Sequence, residues 1–345
     1  MTFDEIIHEI TNSLTGDNEK DLKHLLAQAE KYRDHEYGQE ITRAIGRMVY
    51  NFLPDDEKAK FDQVVQNDRT GTANVIEEIK FQMYKKDYNK ALKIFQSLVK
   101  DLNGEKDIFA DDKVSEYHNF QNFLEELIYK VLYDPIKEIR RAPEDIAELY
   151  FLYGYLLFEL EKYDEAYIAL TKAEKYNCIS TDIKFELGEI YKVKKDWDKY
   201  LDNNRKCLLC AYSSKALART YRNFAYYYSG TGKYSTAIVL LYLSAHYERD
   251  NTTAQSELMY ISEKAGIKIE RPTFKVIEET LLQENIQLGP NMHIIEICAK
   301  IGTQIKKEQP EEAAFLFSVL YDLTNDENIK KILDELNSRL SNGKS

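Results

Sequence analysis

The chain has 345 residues, of which 43% are hydrophobic and 31% charged, enough apolar material for a sizeable core beneath a polar surface. Its 47 basic and 59 acidic residues leave a formal net charge of −12; with no basic block, that balance argues against nucleic acid or an anionic membrane as partner. Only 13 Gly and 6 Pro punctuate this length, too few turn residues for a β protein, so long helices with short connections are expected.

The first residues, MTFDEIIHEI, have no basic n-region or apolar h-region, and no run of 18 apolar residues occurs. A cytoplasmic protein without a membrane span is expected. Residues 3–14, 19–34, 38–52 and 54–67 carry apolar side chains at three- and four-residue spacing and predict an N-terminal helical region over 1–70. Pro54 followed by Asp55 and Asp56 suits a helix start, because proline fits the first turn and acids complement the dipole there. The stretch 71–145 holds YKKDYNKALKIF, with Tyr88, Ala91 and Phe95 in one register, and then a long helix predicted over 113–133. Lys137, Arg140 and Arg141 follow in a Pro-flanked stretch that reads as a solvated loop, since a nucleic-acid footprint needs a longer basic stripe.

Residues 147–178 and 181–212 repeat one plan: an apolar helix with a small residue midway, a short polar turn, an aromatic, and a second apolar helix. Gly154 and Gly188 are 34 residues apart, as are Tyr163 and Trp197. A third copy covers about 218–247 with Tyr221, Ala225, Tyr234, Ala237 and Leu241. Gly154 and Ala166 lack bulk, so two antiparallel helices can approach closely there. Tyr163 is expected to be buried where it closes the hairpin. In the second copy Tyr200 stands where a small residue is expected and Asn204 where an apolar one is, which predicts a displaced second helix. A weaker copy at 294–323 has Ala313 and Phe317 in register but Pro310 in place of the aromatic. Thr252 and Gln255 read as a capping box. Residues 326–340 put Ile329, Ile332, Leu333, Leu336 and Leu340 on one stripe, as an end-capping helix requires.

These spacings resemble the tetratricopeptide repeat, on Tyr150, Tyr153, Gly154, Tyr163, Ala166, Leu170 and Ala173 in the first copy and Leu187, Gly188, Tyr191 and Trp197 in the second. The resemblance implies an all-α fold, a right-handed superhelical array of antiparallel helix hairpins with an N-terminal helical region and a C-terminal capping helix. It divides the chain into 1–70, a divergent stretch 71–145, three repeat units over 146–250, and divergent repeats with the cap over 251–345. It also implies a concave groove lined by the first helix of each hairpin. Carried onto this sequence, the groove positions are Glu148, Phe151, Tyr155 and Phe158, then Asp182, Phe185, Glu189 and Lys192, then Arg219, Arg222, Tyr226 and Ser229, with Asn223 beside them. The Lys and Asn pattern by which some family members clamp a C-terminal carboxylate is absent from the first two units, which offer Phe151, Tyr155, Glu186 and Glu189. A second candidate surface is the segment EYHNFQNFLEELIY, where Tyr117, His118 and Asn122 fall close together, although filling of the structure is the stronger expectation for it.

The six histidines, His8, His24, His35, His118, His246 and His293, place no two at ligand spacing on one helix face, so neither a metal nor another cofactor is expected. Cys207 and Cys210 form a C-x-x-C, but inside a predicted helix rather than at a helix start, and packing is the expected role. Gly-rich phosphate loops and nucleophile elbows are absent. The expected function is therefore a non-catalytic scaffold for a protein or peptide partner. The alternatives are a peptide-responsive regulator, of the sensor or phosphatase-like kind, and a structural subunit of a larger assembly. With no ligand cluster in the sequence, adding EDTA to protein purified without metal should leave Tm unchanged; a clear fall in a thermal melt would contradict that reading.

Overall fold

The computed structural model describes residues 1–54, 56–58, 74–104, 111–142, 145–249, 251–266 and 268–342. Helix makes up 74% of the chain and consecutive helices pack on one another, so the expected all-α helical repeat array is the fold observed. By contacts the chain separates into two units, one of residues 1–119 with 135–149 and the other of 120–134 with 150–345.

The first unit starts with α1 (Phe3–Asn12), α2 (Asn18–Lys31) and α3 (Gly38–Phe52). Thr2 and Glu5 form a reciprocal capping box at the start of α1. Their three- and four-residue apolar spacing closes a core of Ile6, Ile10, Leu25, Tyr32, Ile41 and Ile45. Two more helices follow, α4 (residues 74–84) and α5 (Tyr88–Gly104), with Ala91 and Phe95 buried. Most of the helix expected over 54–67 lies outside the described residues; 56–58 are helical.

Of the long helix expected over 113–133 only the second half forms, from Phe123 to Tyr133. Residues Ser115–His118 make strand β1, which pairs in parallel with β2 (Glu138–Arg141), Tyr117 opposite Arg140. The cause is local. Asp112 Oδ1 accepts from the backbone N–H groups of Val114 and Ser115 at 3.0 and 2.6 Å, and Asp111 Oδ1 from that of Tyr117 at 3.1 Å. Aspartates that capture backbone donors in this way compete with the helix. The basic cluster is not a solvated loop: Arg140 and Arg141 lie in β2 and Lys137 just before it, where Lys137 Nζ donates to Asp112 O at 2.5 Å and Arg140 Nε to Ser115 Oγ at 3.0 Å. Asn119 closes the sheet. Its amide donates to Ala142 O, and its oxygen accepts from the Ile146 and Ala147 N–H groups at 3.1 and 3.3 Å, which caps the next helix.

The second unit holds α6 (Phe123–Tyr133), most of α7 (Ile146–Glu159), α8 (Tyr163–Tyr176), α9 (Thr181–Lys194), α10 (Trp197–Cys210), α11 (Ser214–Gly230), α12 (Tyr234–Tyr247), α13 (Thr252–Ala265), α14 (Phe274–Gln283), α15 (Met292–Ile305), α16 (Pro310–Thr324) and α17 (Glu327–Asn342). From α8 to α13 each helix packs on the next, and α15, α16 and α17 continue the same way. Pro310, the residue that breaks the aromatic register, takes the first turn of α16, where its missing N–H costs nothing. The stripe on α17 is as read, with Leu336 buried and Ile329, Ile332, Leu333 and Leu340 half-buried. Two local readings need correction. Asn251, not Thr252, caps α13, its side chain accepting from Ala254 N. Tyr163 is half-buried rather than buried, its ring set edge-on to Phe158 at 5.3 Å. Among the described residues no helix is long and apolar enough to cross a membrane.

The two repeat glycines differ in how closely their neighbours approach. A Cβ on Gly154 would lie 2.5 Å from Leu170 Cγ, whereas one on Gly188 would meet nothing nearer than Asn203 Nδ2 at 3.4 Å. Overpacking costs about 1–3 kcal/mol, and alanine gains about 1 kcal/mol over glycine in a helix. Gly154→Ala should therefore lower stability in a urea melt, while Gly188→Ala should leave it unchanged or raise it. Equal effects would mean that the first hairpin is no more tightly packed than the second.

Candidate functional site

In the second unit α9, α11 and α13 bring their side chains together. The Arg219 guanidinium lies 4.3 Å over the Phe185 ring and 3.5 Å from Glu186 Oε1. One to two helical turns further along α9, Lys192 Nζ pairs with Glu189 Oε1 at 2.8 Å and sits 4.7 Å from the Tyr226 ring. Trp197, at the start of α10, adds a ring 6.5 Å from Tyr226. Arg222 donates to Glu248 Oε2 at 2.8 Å and to Ser244 Oγ at 2.9 Å. Tyr226 is the exposed member of this strip, at 46%. Its apolar ring and polar tip suit a wet contact surface.

The electrostatics lean acidic. Glu186, Glu189, Glu248 and Glu257 face Lys192, Arg219 and Arg222. Burial pushes the Glu186 carboxyl above the usual carboxylate range, and Arg219 opposes that only in part. Burial does the same to Glu257 on α13, against the pull of Lys192 and Arg222. Glu257 Oε2 is enclosed without a hydrogen-bond partner. Desolvation outweighs the nearby cations at both positions; those near Glu257, Lys192 and Arg222, are already paired with Glu189 and Glu248.

Phe185, Glu189, Arg219, Arg222 and Tyr226 thus lie along one strip, Phe185 as a buried platform beneath Arg219. Asn223 lies on the inner side of α11, 7% exposed, and donates to Asn204 Oδ1 at 3.1 Å. Phe151 and Tyr155 are half-buried on α7. Glu148 belongs to the first unit and pairs with Lys80 at 2.7 Å. Tyr117 and His118, also in the first unit, are buried in β1. Asn122 belongs to the second unit, where its Oδ1 caps α6 by accepting from Glu125 N at 3.1 Å and its amide donates to Tyr212 Oη at 3.1 Å. Trp197, Glu248 and Glu257 were not among the candidates read from the sequence. Trp197 takes the place in its repeat that Tyr163 holds in the first, outside the groove positions, and α13 lacks the Leu-Gly signature that carries the register.

Cys207 and Cys210 are buried in α10. Burial raises both thiols, Cys210 to about 12, which leaves little thiolate at neutral pH. Among the described residues no three His, Cys, Asp or Glu side chains could hold a metal ion.

Glu257 makes a pH-dependent prediction. A folded-state pKa raised above the unfolded value contributes stability that is fully present below the unfolded pKa and is lost as pH rises through the folded one. Gln mimics the neutral form, so Glu257→Gln should raise Tm near pH 7 and give no gain near pH 4. Thermal melts across that range check it; a variant less stable at neutral pH would show that Lys192 and Arg222 outweigh burial.

Comparison with protein-family models finds no match, and comparison with curated proteins finds no relative.

Proposed function

We propose that the hairpins are tetratricopeptide-like and that the protein is a non-catalytic scaffold holding a polypeptide along the strip formed by α9, α11 and α13. The observation that carries this reading is Tyr226, an exposed aromatic flanked by Lys192 and Trp197. Nearby, Arg219 is stacked on Phe185 and Arg222 is held by Glu248. Tyr, Trp and Arg are the residues that dominate protein interfaces, and here they are already ordered by one another, which lowers the entropy lost on binding. The strip needs no cofactor to act in this way. Successive hairpins present it at regular intervals, which suits an extended chain better than a compact small molecule.

The test is selection of displayed random peptides on the immobilised full chain, followed by solution binding of the selected peptides. Tyr226→Ala should change stability by less than about 1 kcal/mol, as surface substitutions do. It should weaken the selected peptides by about 2 kcal/mol, as expected for an interface hot spot. Undiminished binding to the variant would place the contact elsewhere and refute this strip, and a large loss of stability would make Tyr226 a core residue.

A further inference from the structure

Away from that strip, the second unit has an open cavity of about 840 Å³ beside α12 and α14. Ligand sites for small organic molecules commonly measure about 300–1,000 Å³. Its walls include Tyr242, Tyr247 and Phe274, with His246, Arg249 and Arg271 also lining it.

The aromatic wall is built and held. Tyr247 stacks on Tyr221 with ring centroids 6.0 Å apart and planes 17° from parallel. Tyr221 is itself buried, and its hydroxyl donates to Gln287 O at 3.0 Å and accepts from Gly289 N at 2.8 Å. Those two bonds pin the 287–289 segment, whose Leu288 and Gly289 complete the lining. Gly289 has φ +80°, and a Cβ there would stand 3.5 Å from the Tyr247 hydroxyl. The left-handed backbone is open to glycine and strained for other residues, so the turn that brings this segment to the cavity depends on the residue at 289. The site is therefore preformed.

The charges differ from those of the strip on α9 and α11. Lys192, Arg219 and Arg222 each have a carboxylate partner. Arg249 and Arg271, by contrast, make no ion pair or hydrogen bond among the described residues, in a chain with 59 acidic residues to choose from. Phe274 is 65% exposed beside them. An unpaired guanidinium offers a planar fork of donors that fits a carboxylate or phosphate better than a point charge does. An exposed aromatic gains by being covered with apolar surface.

We propose that this cavity binds a small organic anion with an aromatic body, its carboxylate or phosphate taken by Arg249 and Arg271 and its ring by Tyr242, Tyr247 and Phe274. The site is independent of the polypeptide strip. The two sources of the anionic head are separated by the probes: 1-naphthoate, 1-naphthyl phosphate and the neutral 1-naphthalenemethanol, each titrated calorimetrically into the full chain. At least one of the two anions should bind with a submillimolar Kd, about tenfold or more tighter than the alcohol, a difference of about 1.4 kcal/mol. The tighter of the two identifies the head. Arg249→Gln and Arg271→Gln should each lower that affinity about tenfold and remove most of the discrimination against the alcohol. Both side chains are exposed, so their variants should melt as the parent does. Tyr226→Ala should leave the anion's affinity unchanged, which separates this proposal from the peptide reading. Absence of submillimolar binding by both anions, equal binding of the alcohol, undiminished binding to both arginine variants, or loss of binding in Tyr226→Ala would each overturn it.

Discussion

The second unit depends on one buried carboxylate. Glu125, on the first turn of α6, is 1% exposed. An isolated carboxylate removed from water to that degree would cost several kcal/mol. Glu125 is tolerated because donors converge on it from three directions: Gln121 N at 2.8 Å, Asn177 Nδ2 at 2.8 Å and Tyr212 Oη at 3.0 Å. Burial still raises its pKa, and the donors offset that in part. Asn177 sits in the turn between α8 and α9, where its oxygen also accepts from Ile179 N and Ser180 N. Tyr212 lies between α10 and α11. One side chain thus ties α6 to two successive inter-hairpin turns and sets the spacing of α9 and α11, the helices that carry the candidate strip. The C-terminal hairpin adds to this end of the array. Phe123 packs on Phe315 at 5.7 Å, and Asp322 accepts from Ser214 N and Oγ at 2.7 and 2.8 Å.

The same turns bury a cation. Lys184 on α9 is 1% exposed and pairs with Glu174 Oε1 at 2.8 Å. Burial alone would lower its pKa, but Glu174 outweighs that and holds the ammonium charged. A pair of this kind contributes little net stability against a hydrophobic replacement, yet breaking it is costly, so it enforces one arrangement over its alternatives. Chain direction separates these buried charges from the solvent-facing ones. Glu125 and its partners meet the turns at 177–180 and 211–213, whereas Lys192, Trp197 and Tyr226 lie toward the far ends of the same antiparallel helices. The end of the array covered by α6 is therefore not the end that offers Tyr226 to solvent.

The second repeat shows what its irregular residues do. Tyr200 and Asn204, which break the pattern of small and apolar residues, build a polar seam between neighbouring helices. The Tyr200 hydroxyl donates to Asn223 O at 2.8 Å, Asn223 Nδ2 to Asn204 Oδ1 at 3.1 Å, and Asn203 Nδ2 to Lys184 O at 2.7 Å. Buried polar groups that are all satisfied add directionality that apolar contacts lack. Gly188 leaves room for the Tyr200 ring, whose nearest atom would lie 3.7 Å from an added Cβ. The same seam accounts for the position of Asn223, which is drawn inward by Asn204 while Arg222 and Tyr226 on the same helix stay outside.

Sequence alone determined the helical fold, because low Gly and Pro content and three- and four-residue apolar spacing are properties of local stretches of chain. It also determined the hairpin register at Gly154, Ala166 and Gly188, where lack of bulk is visible in the residue type, and the face of α9 and α11 that holds Phe185, Glu189, Arg219 and Tyr226. Tertiary structure alone decided the rest. Strands of four residues leave too short a period to read, and Asp111 and Asp112 diverted 114–117 from the helix that the sequence around them favoured. Nothing in the sequence around Glu125 sets it apart from the other acids; its donors Asn177 and Tyr212 come from 52 and 87 residues away. The inward turn of Asn223, the approach of Glu257 to Lys192, and the cavity with its two unpaired arginines likewise depend on which distant groups meet. Burial and charge pairing are set by those meetings, and no window of local sequence contains them.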